Sequence, residues 1–162
     1  DPGIFRLGDT ICTGSHVKYS GIPLFAPEFF CRISPEDSMK RKQFLKGINQ
    51  LSQEGAIQTF IRTETGREEF MVGVVGVLQF DVLTYRLKSE YGVDMYMTSL
   101  PYDHLRLVEQ CPCPPDELML CTGSALLEDF RGRLLIALDG EWSVGFLTKH
   151  NPGLVLADSL SV

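Results

Sequence analysis

The sequence has no apolar run approaching the roughly 20 residues a membrane-crossing helix needs, and no charged-then-apolar leader opens it. A cytoplasmic protein with no membrane partner is the expectation. An excess of positive charge is missing too: 15 Lys and Arg stand against 21 Asp and Glu, a formal net charge of −6. That disfavours a nucleic-acid binder working through a whole-surface positive field and leaves room only for a local basic face. The cysteines Cys12, Cys31, Cys111, Cys113 and Cys121 are odd in number and unevenly spread, poor material for a disulfide framework, so reduced thiols are expected. His16, His104 and His150 have no neighbouring group at a spacing that reads as nucleophile and base. No Gly-rich loop ending in Gly-Lys-Ser/Thr occurs, so no residue is assigned to nucleotide phosphates and no catalytic, cofactor or metal residue is expected.

What is present suits an ordinary globular fold. The chain has 162 residues, about one domain's worth, with 44% apolar and 22% charged residues. It starts at Asp1 rather than Met, and Ile4, Phe5 and Leu7 before Gly8-Asp9, with Ile11 and Cys12 after, read as two short strands. Residues 1–20 are therefore expected to be the remnant of a β-barrel and a linker, as in an excised fragment. The stretch from Gly14 to Pro27 is rich in Gly, Ser and Pro, and the main domain follows it.

Phe29, Cys31 and Ile33 alternate as in a strand. Ser34-Pro35-Glu36-Asp37 then reads as a cap with Pro at the first helical position, and the spacing of Phe44, Leu45, Ile48 and Leu51 predicts a helix over 35–54, closed by Gly55. Ala56–Arg62 and Glu69–Val75 predict an antiparallel hairpin joined by 63–67. Phe80, Leu83, Leu87 and Tyr91 predict a second helix over about 77–91 closed by Gly92, and Val93, Met95 and Met97 a fourth strand. The order βαββαβ predicts an α+β fold, a ferredoxin-like split βαβ sandwich over about 27–100 with two helices on one face of an antiparallel sheet. An α/β extension covers about 101–162. Within it His104–Glu109 is extended, Glu117–Arg131 is partly helical, Leu134–Leu138 and Trp142–Leu147 form a hairpin, and Asn151-Pro152 opens a short helix.

Three separated blocks, Gly21-Ile-Pro-Leu-Phe-Ala-Pro-Glu-Phe-Phe30, Lys46-Gly-Ile-Asn-Gln-Leu-Ser-Gln-Glu-Gly-Ala56 and Val74-Val-Gly-Val-Leu-Gln-Phe-Asp-Val82, resemble the release factor 3 family of translational GTPases. Arg86-Leu-Lys-Ser-Glu-Tyr-Gly-Val93 and Leu138-Asp-Gly140 continue the match, which is weakest over 110–133. The resemblance implies the end of the barrel-like second domain followed by the third domain over 21–162, with GTP and magnesium handled by a GTPase domain elsewhere in the factor. It implies a docking and transmission element whose partners are the small ribosomal subunit, through ribosomal protein and rRNA, and the factor's own GTPase domain. Codon-reading release factors, which the intact factor recycles, are indirect partners. The alternative is the equivalent domain of another translational GTPase such as elongation factor G, whose corresponding helix normally opens with a Gly-Met-Gly-Glu-Leu type of segment, from which Gly76-Val-Leu-Gln-Phe departs.

Lys40, Arg41, Lys42 and Lys46 crowd the first helix away from its apolar stripe and are the main candidates for ribosome docking, with Arg86 and Lys88 as an extension of that surface. The plainer reading is a solvated helix face. Arg62 and Arg67 are weaker candidates. Cys111, Cys113, Cys121 and His104 invite a small thiol or zinc protein, but one residue between paired cysteines is a poor chelating turn.

Overall fold

The computed structural model of the chain describes residues 10–17, 25–62 and 69–157. Of the expected barrel remnant, Ile4, Phe5 and Leu7 lie outside the described residues, as does the 63–67 connection, and residues 10–17 form no regular element. From Phe29 onward the order is β1 (Phe29–Pro35), α1 (Arg41–Gln53), β2 (Gln58–Arg62), β3 (Glu69–Val74), α2 (Leu78–Tyr91) and β4 (Met95–Leu100). These strands pair antiparallel in the order β4-β1-β3-β2, with α1 and α2 on one face. That is the α+β split βαβ expected from the pattern.

The first helix starts later than the sequence suggests. Ser34 and Pro35 belong to β1, opposite Tyr96 and Met95. Glu36 N donates to Asp94 O at 3.0 Å, so Glu36 and Asp94 form a hydrogen-bonded pair and, by the alternation of an antiparallel ladder, Pro35 and Met95 do not. Proline's missing N–H therefore leaves no gap between β1 and β4. The cap is Asp37, whose carboxylate accepts from Met39 N at 2.9 Å and starts a 3-10 turn at Ser38–Lys40 before α1. Gly55 and Gly92 close the two helices in the left-handed region, with φ 73° and 65°.

The remaining elements are β5 (His104–Gln110), β6 (Ser124–Asp129), β7 (Leu134–Leu138), α3 (Glu141–His150) and β8 (Val155–Ala157). Three expectations fail here. Glu117–Arg131 is not helical: after a 3-10 turn at Pro115–Glu117 its apolar run becomes β6, held between β2 and β7. Both faces of β6 are buried, Leu126 on one and Ala125 and Leu127 on the other, and a strand buried on both sides has no periodicity to distinguish it from a helix. Trp142–Leu147 is not a strand, because Asp139 accepts from Ser143 Oγ and seats the first turn of α3, while Ser143 and Leu147, one turn apart, are buried. Asn151 ends α3 rather than opening a helix; its side chain bridges the backbone of Met119, accepting from N at 2.8 Å and donating to O at 3.1 Å.

All eight strands form one sheet in the order β4-β1-β3-β2-β6-β7-β5-β8, and that sheet must curl. Leu100 and His104 are four Cα steps apart, at most about 15 Å. Yet β4 and β5 stand six positions apart in the sheet, about 29 Å if flat. The curl encloses a core in which Phe30, Phe60 and Met71 from the first four strands meet Leu105, Leu127 and Leu135 from the second half. α1 and α2 cover the outside of the first half and α3 the outside of the second.

Candidate functional site

α1 presents an unusual N-terminus. The first turn of a helix carries unsatisfied N–H groups and a partial positive charge that favour acidic side chains. Here the first α-helical turn has no acidic residue and no side-chain cap of its own, and it carries Lys40, Arg41 and Lys42. The Asp37 cap lies one 3-10 turn earlier, and that turn takes the Arg41 N–H on Ser38 O. Lys40 is accommodated because its ammonium donates to Gly92 O, the carbonyl at the negative end of α2. Arg41 places its guanidinium 5.7 Å from the centre of the Phe70 ring. Lys42 and Lys46, one turn apart, are exposed, and Asn49 and Gln53 continue the same polar stripe. Among the described residues neither lysine meets a carboxylate. The two cations act against local helix stability and offer their charge to solvent or to a partner.

Arg86 and Lys88, the other two candidates, have internal partners. Arg86 donates to Glu90 from Nε at 2.6 Å and Nη2 at 3.0 Å, and from Nη1 to Glu54 at 2.6 Å. It thereby ties α2 to the end of α1. Its guanidinium holds the carboxyls of Glu54 and Glu90 below the usual carboxylate range, and the two carboxylates raise Arg86 in turn. Lys88 lies 2.7 Å from Asp94, whose carboxylate raises the ammonium. The structure brings Lys40, Arg41, Lys42 and Lys46 together at one end of α1 and assigns Arg86 and Lys88 to holding elements in place. Arg62 is half-buried on β2, and Arg67 lies outside the described residues.

The cysteine cluster is likewise occupied with local contacts. Cys111 Sγ donates to Cys113 O at 3.0 Å, and both cysteines pack on the α3-side core. His104 faces Asp103 through Nδ1 and Glu141 through Nε2. Among the described residues no group of three or more His, Cys, Asp and Glu could hold a metal.

Sequence reasoning missed a second surface. α2 buries Phe80, Leu83 and Leu87 but leaves Leu78, Val82 and Tyr85 exposed at i, i+4 and i+7, with Val75 and Val77 exposed just before it. An amphipathic surface helix normally has polar residues there, so α2 is apolar on two sides. The signal was present in the same spacing that gave the buried stripe. α1 and α2 pack closely because Gly47 has no side chain: a Cβ there would stand 2.6 Å from Leu87 Cδ2.

A split βαβ sheet extended by a second, curled half, bearing a basic stretch at the start of α1 and an apolar face on α2, defines the class as an α+β domain. Residues 19–148 match the family model described as class II release factor RF3, C-terminal domain. The chain is similar to peptide chain release factor 3 of Symbiobacterium thermophilum, 43% identical over 155 residues that cover 96% of this chain and 29% of that protein. It is also similar to the proteins of the same name from Gloeobacter violaceus, 37% identical over 155 residues (95% of this chain and 29% of that protein), and Nostoc punctiforme, 36% identical over 157 residues (97% and 29%). The chain belongs to the family of release factor 3 C-terminal domains. It spans about 29% of the length of these relatives.

Proposed function

We propose that this chain is the ribosome-docking and interdomain-coupling part of a release factor 3, acting in translation termination in the cytoplasm. The basic end of α1 meets ribosomal protein or rRNA of the small subunit. The apolar face of α2 meets the GTPase-bearing remainder of the factor, where GTP and magnesium are bound and from which recycling of the codon-reading release factors is driven. The chain itself performs no catalysis in this reading. The observation that carries it is the placement of Lys42, exposed and unpaired among the described residues, in the first turn of α1 where a cation is destabilising, with Lys46 likewise exposed and unpaired one turn on. Family membership supports the ribosome as the partner.

Cosedimentation with 30S and 50S subunits across a salt series tests this, comparing the wild type with a variant carrying Glu at Lys40, Arg41, Lys42 and Lys46. The expected result is salt-sensitive binding to the small subunit that the variant lacks, because each lysine or arginine on a phosphate adds about one unit to the log–log salt slope. Equal binding by the two proteins would move the docking surface off α1.

A further inference from the structure

The two ends of the sheet are treated differently. At one end β8 is three residues long and its pairing with β5 shifts register between Val108 and Gln110. Short length and irregularity are the usual ways a protein blunts an edge that could otherwise recruit another strand. At the other end β4 runs for six residues, Met-Tyr-Met-Thr-Ser-Leu, with no charge, no proline and an unbroken register against β1. Tyr96, Met97, Thr98 and Ser99 are all exposed. Among the described residues this edge carries none of the usual protections.

The free backbone groups of that edge can be assigned. Because Glu36 and Asp94 are a hydrogen-bonded pair, the pairs Ser34–Tyr96, Arg32–Thr98 and Phe30–Leu100 are bonded too, each two residues further along. Tyr96, Thr98 and Leu100 therefore direct their N–H and C=O groups to β1. Met95, Met97 and Ser99 direct theirs outward, where among the described residues no strand receives them. Cys31 Sγ reaches Ser99 Oγ at 3.9 Å across the intervening Cys31–Ser99 pair, as the closer side-chain approach of a pair without backbone bonds allows.

We infer that β4 is a strand-addition site that takes an extended segment of another protein, flanked by lysine or arginine. The alternating N–H and C=O row is matched only by another extended backbone. Its surroundings set the sign of the charge: Glu36, Asp94, Asp103 and, across β1, Glu69 outnumber the two cations beside the edge, Lys88, which pairs with Asp94, and Arg32, which stands opposite Thr98 and pairs with Glu69. A second copy of this chain, carrying the same net charge of −6, is the electrostatically wrong occupant. The added strand lies beside Met95 and Met97 on the helix-bearing face and beside Tyr96 and Thr98 on the other. The inference does not rest on the docking of α1.

The probe is the synthetic peptide Lys-Lys-Val-Thr-Val-Thr-Val-Lys-Lys, titrated into the full chain with amide hydrogen exchange read residue by residue by NMR. At peptide about ten times over its Kd, exchange at Met95, Met97 and Ser99 slows about tenfold, while Tyr96, Thr98 and Leu100 are unchanged. The same peptide N-methylated at alternate residues gives no protection, and its Glu-flanked analogue binds at least about tenfold more weakly. Met97→Pro removes one outward N–H without touching the ladder to β1 and weakens the peptide by a similar factor; should that variant fail to fold, the N-methylated peptide on the wild type decides. No protection at millimolar peptide, or equal protection by the N-methylated form, overturns the inference. So does protection that grows with protein concentration alone, together with a sedimenting dimer, since the edge would then belong to a second copy.

Discussion

Replacing Lys42 by Glu should make this domain more stable while weakening its proposed docking. Lys42 lies in the first turn of α1, exposed and without a carboxylate partner among the described residues, and Lys46 follows one turn later. A cation at a helix N-terminus is unfavourable and an anion favourable by ~0.3–1 kcal/mol each, so reversal contributes about 1 kcal/mol from the dipole. It also turns a like-charge pair at i, i+4 into Glu followed by Lys, the better orientation, which adds about 0.5 kcal/mol. A gain of about 1–1.5 kcal/mol in a domain of this size raises Tm by roughly 3–6 °C. Lys46→Glu, beyond the first turn, lacks the dipole gain and serves as the control. The assay is urea and thermal denaturation at low salt, beside cosedimentation with the small subunit. A lower Tm for Lys42→Glu would refute the account of the helix end; a higher Tm with undiminished ribosome binding would leave the local chemistry standing and remove its functional meaning.

Gly123→Ala should destabilise by about 2–5 kcal/mol. Its Cβ would overlap the Asp139 carboxyl that accepts from the buried Ser143 hydroxyl, so overpacking adds to an orphaned hydroxyl; the chain's single tryptophan, Trp142 on α3, reports the loss by fluorescence. Arg86→Gln should flatten the acid limb of the stability curve, because the depressed carboxyls of Glu54 and Glu90 stabilise the fold above their ordinary range and lose that contribution as pH falls through their lowered values. Denaturation midpoints of wild type and variant, measured from neutral to acid pH, should converge; parallel curves would count against the ion-pair account. The hydrogen bond to Asp103, assisted by Glu141, raises His104, so its contribution is complete below the ordinary imidazole value of 6.5 and fades as pH rises through the raised one. An NMR titration should find the His104 ring still protonated above 6.5, and His104→Gln should abolish that part of the pH dependence.

Residues 29–100 were more legible than those that follow, for a physical reason. α1 and α2 each rest one face on the sheet, so Phe44, Ile48 and Leu51, or Phe80, Leu83 and Leu87, recur at helical spacing. Gly55 and Gly92 sit where only a left-handed residue closes the helix. Beyond Pro101 burial on both faces removes that contrast: Ser-Ala-Leu-Leu-Glu-Asp suits a helix by propensity and becomes β6 because β2 and β7 lie on either side. The Asp139-Gly140 pair carries a hairpin signal, yet Ser143, four residues on from Asp139, turns it into a helix start. At the candidate site the sequence grouped Lys40, Arg41, Lys42 and Lys46 on the first helix but well inside it, because Ser34 and Pro35, read as its start, belong to β1. It could not show that Arg86 is already engaged by Glu54, thirty-two residues away; the second apolar side of α2 was readable in the spacing of Leu78, Val82 and Tyr85 and was missed.

The proposed coupling needs the two outward surfaces of the helical layer to move together, and the contacts between α1 and α2 provide that rigidity. At one end Lys40 donates to the carbonyl that closes α2; at the other Arg86 grips Glu54. Between them Tyr91 donates to Gln50 at 2.7 Å, and at Gly47 the helices approach so closely that even a methyl group would collide with Leu87. Packed interiors transmit displacement because they have no slack to absorb it. On the proposed coupling, a shift imposed on the apolar side of α2 would be passed to the lysines of α1. The curled sheet beneath takes the reaction, since the core of Phe30, Phe60 and Met71 joins its two halves and gives the helices a common base. On this reading Arg86 serves function without touching a partner: loss of its grip on Glu54 leaves every docking cation in place while loosening the connection between the two surfaces.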